Sequence, residues 1–175
     1  TVISGDKTSM KALLSDLKQL TKFGLSLSVV FSSVAGYLIA ADVVNYSILF
    51  LLALGGFFMV SASNVFNQII EKDTDAIMKR TQNRPLPTGR MSVNVALSIA
   101  ILFTVLGISI LYSINPKSAL FGAISIFIYT SIYTPLKPVT PLAVFIGAIP
   151  GAIPFMLGWI AATNNFGLEA GFLFI

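Results

Sequence analysis

Five stretches of this chain carry no charged residue, and each is long enough to cross a membrane as a helix. A helix needs about 20 apolar residues to span the hydrocarbon core, where every backbone polar group must be satisfied within the segment. The mean hydropathy of +0.87 and a charged fraction of 10% agree with such spans. The sequence therefore predicts an all-α membrane bundle. The uncharged stretches are residues 23–41, 43–70, 91–116, 118–136 and 138–168.

The predicted helices divide the chain into a short leading segment and one membrane domain, residues 23–175. In residues 1–22, apolar residues recur at helical spacing opposite Lys11 and Lys18, which predicts a helix lying in the cytoplasmic interface of the membrane. Its apolar face comprises Met10, Leu13, Leu14, Leu17 and Leu20. The predicted spans are 23–41, 46–70, 93–114, 118–133 and 142–162, and a further span is predicted to start near Leu168.

Basic residues are distributed unevenly between the two sides of this bundle. With the N-terminus inside, the cytoplasmic side receives four lysines before the first span, five basic residues after the second, and Lys137 after the fourth. The outer side receives only Lys117. Because basic loops stay in the cytoplasm, this asymmetry predicts a cytoplasmic (inner) membrane protein whose polar loop faces the cytoplasm. Topology thus accounts for the net charge of +4, and no nucleic-acid partner is indicated.

The chain contains no cysteine and no histidine. These residues therefore offer no disulfide, no thiolate chemistry and no imidazole, which is the commonest general base and metal ligand. Carboxylates, amides, hydroxyls and cations remain as the groups that could carry chemistry.

The polar stretch 64–90, at the cytoplasmic end of the second predicted span, carries the strongest functional signal. At about 100° per residue, Asn64, Asn67, Glu71 and Asp75 share one narrow helix face, and Asp73 points the other way. Oxygen-bearing side chains spaced four apart can hold a hard divalent cation such as magnesium, which commonly bridges to substrate phosphates. Counter-charge for a polyanion is supplied by Lys72, Lys79, Arg80, Arg84 and Arg90.

Two simpler interpretations of this stretch account for some of its residues. An ordinary charged cytoplasmic loop accounts for Lys72, Asp73 and Lys79, but it leaves Glu71 and Asp75 on a face shared with two asparagines. A polar face that only packs against a neighbouring helix would leave the nearby cations without a partner. An acidic group at the end of an otherwise apolar helix is a functional-site hypothesis by default.

The spacing N-x-x-x-[DE]-x-x-x-D at Asn67, Glu71 and Asp75 resembles the first acidic motif of the intramembrane prenyltransferases of the UbiA superfamily. The continuation MKRTQNRPLPTGR is similar to the heme O synthase branch of that superfamily. Two further segments agree, LTKFGLSLSVVFSSVAGY at the first span and YTPLKPVTPLAVFIGAIPGAIPFMLGW from Tyr133. The resemblance covers nearly the whole chain from Leu20 onward.

This resemblance implies a transmembrane helix bundle that transfers a farnesyl group from farnesyl diphosphate to a vinyl group of heme b (protoheme IX), giving heme O. It implies a magnesium ion that neutralises the diphosphate. By matching position, it implies that the metal-binding and catalytic residues are Asn67, Glu71 and Asp75. It implies that the diphosphate is bound by Arg80, Arg84 and Lys137, with Lys22 and Asn64 as weaker candidates. Heme A synthase or terminal oxidase assembly proteins are the implied partners.

The chain also departs from the family pattern. Family members are longer, and their second acidic motif and a histidine-bearing sixth helix are expected beyond Ile175. Residues 23–175 are therefore interpreted as a partial domain, and the isolated chain is expected to be inactive. Phe23 and Pro138 stand where the family has a proline and a second basic residue.

Two other functions stay open at this point. One is a UbiA-type enzyme that prenylates an aromatic quinone or chlorophyll precursor. The other is a non-enzymatic membrane transporter or scaffold whose acidic cluster gates an ion. The transporter would place charges at mid-membrane depth, whereas these charges lie at a helix end.

Overall fold

A computed structural model of the chain describes the backbone of residues 2–128 and 143–164, and the side chains of residues 10–128 and 153–164. The described residues form helices and connecting turns without a strand, which confirms the predicted all-α class. The helices are α1 (Val2–Thr21), α2 (Phe23–Ala40), α3 (Tyr46–Ile70), α4 (Lys72–Ile77), α5 (Val93–Ile114), α6 (Pro116–Ile128) and α7 (Ala143–Thr163).

Within the residues whose side chains are described, three helices are long and apolar enough to cross a membrane. They are α2, α3 and α5, with 18, 25 and 22 residues and hydropathies of 1.8, 2.0 and 2.4. Side-chain caps fix where two of them begin. The Asn45 side chain accepts hydrogen bonds from the N–H groups of Ser47 and Ile48 at the start of α3, and Ser92 accepts one from Val95 at the start of α5. Such caps satisfy first-turn donors that have no partner within the helix.

The two remaining predicted spans, 118–133 and 142–162, overlap α6 and α7, and their residues 129–133 and 142 lie outside the described residues. The described part of α6 has 13 residues, which is shorter than a membrane crossing requires. The number of crossings therefore stays a prediction, and the span predicted near Leu168 lies outside the described residues.

Helix α3 occupies the centre of the bundle, where it contacts α1, α2, α5, α6 and α7. Small residues let the neighbouring helices approach it closely, as is usual in membrane bundles. A Cβ atom added at Gly107 of α5 would lie 2.8 Å from Cγ of Met59 on α3. One at Gly55 of α3 would lie 2.9 Å from Cδ2 of Leu111. A larger residue at either position would therefore require the side chain of Met59 or Leu111 to move.

Helices α2 and α7 approach each other more closely still. A Cβ atom at Gly36 would overlap the carbonyl oxygen of Phe155, and one at Gly158 would overlap the carbonyl oxygen of Ser33. A glycine on each helix thus faces backbone atoms of the other helix. This crossing depends on both glycines.

Helix α1 forms over the range in which an interfacial helix was predicted. Leu20 at its end is fully buried and packs in a cluster with Val65 and Leu86, whereas Met10 and Leu14 are more than half exposed. The C-terminal end of α1 therefore belongs to the bundle. The placement of its exposed apolar face in the membrane interface stays a prediction.

Candidate functional site

The acidic motif lies where α3 gives way to α4. The sequence predicted a continuous helix face, but α3 ends at Ile70 and Glu71 has φ −90° and ψ 7°, before α4 begins at Lys72. The backbone N–H of Glu71 nevertheless donates to the carbonyl of Asn67 at 2.9 Å, and that of Asp75 donates to the carbonyl of Glu71 at 2.8 Å. Hydrogen bonds four residues apart thus continue through the turn. The motif keeps its helical spacing although the helix is interrupted.

Burial separates the motif residues from their neighbour on the other face. Asn67 and Asp75 are each only 3% exposed, and Glu71 is half-buried. Asp73 is exposed, as the helix-face argument predicted. Among the described residues, the side chains of Asn67 and Glu71 have no hydrogen-bond partner.

Asp75 is held by two contacts from the loop that follows α4. Nη1 of Arg84 lies 2.9 Å from Oδ2 of Asp75, and the Asp75 side chain is 4% exposed. The Thr81 hydroxyl donates to the Asp75 backbone carbonyl at 2.8 Å. Because an unpaired buried carboxylate is costly, the guanidinium compensates for the burial of Asp75. The loop thus brings a cation directly to the acidic motif.

The same loop, residues 78–92, is braced on its other side by Arg90. Nε of Arg90 lies 3.1 Å from Oδ1 of Asp16 on α1, and its Nη2 donates to the carbonyl of Asn83 at 2.8 Å. Pro85 and Leu86 of the loop are buried. Arg90 therefore acts as a loop brace, a role that the sequence did not indicate because Asp16 is 74 residues away.

Asn64, a candidate diphosphate ligand, connects α3 to the end of α1 and the start of α2. Its Nδ2 donates to the carbonyl of Thr21 at 2.9 Å and to the Ser26 hydroxyl at 3.2 Å. For Asn64, these contacts fit the simpler interpretation, in which a polar face packs against a neighbouring helix. Gln68, one turn further on, also contacts the end of α1 and was not singled out by the sequence.

The candidate cations are placed differently from one another. Lys22 is half-buried and has a left-handed backbone, with φ 49° and ψ 59°. Arg80 is exposed and makes no ion pair within the part of the chain that the structure describes. Lys137 lies outside the described residues. Phe23, which departs from the family pattern, packs its ring edge-on against Phe57 with centroids 5.7 Å apart.

The side chains of the acidic motif are chemically suited to bind a hard cation. Among the side chains that the structure describes, those of residues 10–128 and 153–164, no three acidic groups lie closely enough together to hold a metal ion. Two carboxylates and an amide oxygen, from Glu71, Asp75 and Asn67, are the ligand types that magnesium accepts, with waters and substrate phosphate oxygens completing its shell. Of the two oxygens of Asp75, Oδ2 is engaged by Arg84.

The described geometry is thus a partly buried acidic motif with an adjacent arginine at the end of an apolar helix bundle. The chain belongs to the UbiA prenyltransferase family, whose sequence profile matches residues 29–175. The predicted membership is thereby confirmed.

Its similar relatives within that family are named protoheme IX farnesyltransferase. The chain is 62% identical over 169 residues to the protein of Flavobacterium psychrophilum, covering 95% of this chain and 56% of that relative. It is 63% identical over 164 residues to that of Christiangramia forsetii, covering 94% and 55%. It is 38% identical over 156 residues to the human mitochondrial protein, covering 89% and 35%. The chain thus spans about half the length of the bacterial relatives.

Solved structures show the same fold. A digeranylgeranylglyceryl phosphate synthase superposes with a TM-score of 0.82 at 23% identity, covering 92% of this chain and 57% of that one. A UbiA homolog from Archaeoglobus fulgidus, bound to DMAPP and Mg2+, superposes with a TM-score of 0.76 at 20% identity, covering 90% and 61%. The bundle is therefore of the UbiA type.

Proposed function

We propose that the full-length protein transfers a farnesyl group from farnesyl diphosphate to a vinyl group of heme b, giving heme O for terminal oxidases. The observation that carries this proposal is the 62% identity, over 95% of the chain, to a protoheme IX farnesyltransferase. The buried acidic motif beside Arg84 supports it, because a prenyl diphosphate needs both metal-ligand oxygens and cations. Heme A synthase or terminal oxidase assembly proteins are the proposed partners.

The proposed reaction begins with departure of the diphosphate. The bond between farnesyl C1 and the bridging oxygen breaks, and its electron pair leaves with the diphosphate. The heme vinyl group attacks the allylic cation, and water then adds to the new cation and loses a proton. Magnesium, when held by Asn67, Glu71 and Asp75, would supply electrostatic stabilisation of the leaving group.

The chain's own residues have distinct parts in this scheme. Arg84, 24% exposed and paired with Asp75, is a proposed diphosphate ligand next to the proposed metal-ligand side chains. Arg80, Lys22 and Lys137 are the other proposed diphosphate ligands. The surrounding apolar helices limit access of water, which would otherwise quench the cation early.

The proposed active site faces the cytoplasm from the inner membrane. This follows from the predominance of basic residues on that side, ten against Lys117 alone on the other. Glu71 and Asp75 follow the last turn of α3, so their position argues against an ion-gating role at mid-membrane depth. Residues 1–175 alone are expected to give no product, because they contain one acidic motif where two are implied.

The substrate assignment is tested by supplying the full-length protein with magnesium, farnesyl diphosphate and either heme b or 4-hydroxybenzoate. Chromatography of extracted hemes should show a more hydrophobic species whose mass fits addition of a farnesyl group and water. EDTA should stop its formation. Prenylated 4-hydroxybenzoate with unchanged heme b would instead assign the protein to the quinone branch of the family.

A further inference from the structure

Gln68 is a buried polar residue to which the proposed reaction gives no role. It directly follows the motif residue Asn67 and is 1% exposed. Its Nε2 donates to the carbonyl oxygens of Gln19 at 2.9 Å and of Leu20 at 3.1 Å. Its Oε1 is buried and has no hydrogen-bond partner among the described residues. The two hydrogen bonds donated by Nε2 therefore orient the Gln68 side chain toward the last turn of α1.

Together with Asn64, Gln68 secures the end of α1. The last carbonyls of a helix have no donors within the helix. Asn64, one turn earlier on α3, donates to the carbonyl of Thr21, so side chains of α3 bind three successive carbonyls of α1. The Ser26 hydroxyl also donates to the Thr21 carbonyl, at 2.8 Å. The end of α1 is thereby fixed to the helix that carries the acidic motif.

The residue immediately after these three carbonyls is Lys22, whose backbone is left-handed at φ 49° and ψ 59°. Residues with a side chain rarely adopt this region, because Cβ crowds the following carbonyl. Such a conformation persists where its surroundings enforce it. Here the preceding carbonyls are held by α3, and the Lys22 carbonyl accepts the Ser26 N–H at 2.9 Å. The direction in which the lysine side chain leaves the backbone is therefore set.

We infer that Gln68 is a positioning residue for the diphosphate site. By holding the end of α1, it keeps Lys22 in the left-handed conformation from which the lysine binds the diphosphate of the allylic substrate. The inference rests on the proposed function, because it takes a prenyl diphosphate as the ligand of Lys22. It assigns Gln68 no contact with the substrate or the metal.

Calorimetric titration of the full-length protein in detergent tests this inference, with magnesium and the slowly reacting analogue farnesyl S-thiolodiphosphate. Gln68→Leu, which removes both donors at similar volume, should raise the Kd for the analogue about 10-fold, as the loss of an orienting partner typically does. Lys22→Ala should raise it at least as much. The double variant should bind no more weakly than Lys22→Ala alone, since Gln68 acts through Lys22.

Asn115→Leu is the matched control, because Asn115 Nδ2 also donates to a helix carbonyl, that of Ile160 at 3.2 Å. It lies at the far end of α5, so its loss should lower the Tm and leave the Kd unchanged. If Gln68→Leu does not fold, Gln68→Asn, which keeps the amide and shortens its reach, enters the same comparison.

Three results would overturn the inference: an unchanged Kd in folded Gln68 variants, an unchanged Kd in Lys22→Ala, or effects that multiply in the double variant. The titration requires no heme. Normal analogue binding without heme farnesylation would therefore contradict only the proposed acceptor, and the comparison of Kd values would still decide the role of Gln68. Absence of analogue binding by the unsubstituted protein would contradict both proposals.

Discussion

Asp75 and Arg84 contribute both to the stability of the fold and to the proposed function. Their ion pair of 2.9 Å buries a carboxylate that is 4% exposed, and the loop carrying Arg84 is fixed in place by it. The same carboxylate is a proposed metal ligand. In this account, Arg84 compensates for the buried carboxylate of Asp75 even when neither metal nor substrate is bound.

Arg84→Ala should therefore destabilise the full-length protein. Removing one partner of a buried ion pair leaves an uncompensated charge, and we expect a loss of roughly 2–3 kcal/mol, because Arg84 is partly exposed. Thermal unfolding in detergent would measure it. Adding Asp75→Asn to Arg84→Ala should restore much of the stability, since no unpaired charge then remains. A double variant as unstable as Arg84→Ala would contradict this account of the pair.

At the scale of the helices, the predicted spans agree with α3 and α5 because charged residues flank both of these apolar stretches. The predicted spans 46–70 and 93–114 coincide with Tyr46–Ile70 and Val93–Ile114. The turn at Glu71 was not predicted, because four-residue spacing specifies a helix face and does not show where the helix is interrupted. The role of Gln68 was also missed, since it depends on where the end of α1 packs.

The crossing of α2 and α7 gives a prediction about Gly158. Its substitution by alanine places a Cβ against backbone atoms of Ser33 and Tyr37, which cannot rotate away. The helices must separate, and we expect Gly158→Ala to cost about 1–3 kcal/mol, as overpacking typically does.

Gly56→Ala is the control, because its new Cβ would lie no closer than 4.0 Å to any neighbouring atom, Oγ of Ser33. The two variants are compared by thermal unfolding in the same detergent. Equal losses of Tm would show that close approach of α2 and α7 is not what Gly158 provides.

At the scale of the whole molecule, the end of α1, the end of α3 and the loop 78–92 come together at one end of the bundle. They are linked by hydrogen bonds from the side chains of Asn64, Gln68 and Arg90. The sequence predicted that this end is cytoplasmic and that it carries the functional residues. It could not predict which polar residues serve as braces, because that depends on contacts between distant segments.

The predicted orientation can be tested with single cysteines, because the chain has none of its own. Gln82→Cys, at an exposed position of the loop, should react with an impermeant maleimide only from the cytoplasmic side. Val43→Cys, at a position that is 84% exposed in the turn between α2 and α3, should react only from the opposite side. The reverse pattern would show that the polar end faces away from the cytoplasm.

The most direct test of the central claim compares heme O formation by full-length Glu71→Gln, Asp75→Asn and Asp73→Asn. Glu71 and Asp75 carry the proposed metal-ligand oxygens, so each substitution should lower turnover by about 100-fold or more, roughly 2.7 kcal/mol, with insertion and Tm checked separately. Asp73, exposed on the other face, should be nearly silent. The claim that this helix face forms the catalytic site would be contradicted by either of two results. One is a loss of turnover in Asp73→Asn as large as that in Asp75→Asn, and the other is full activity in Glu71→Gln.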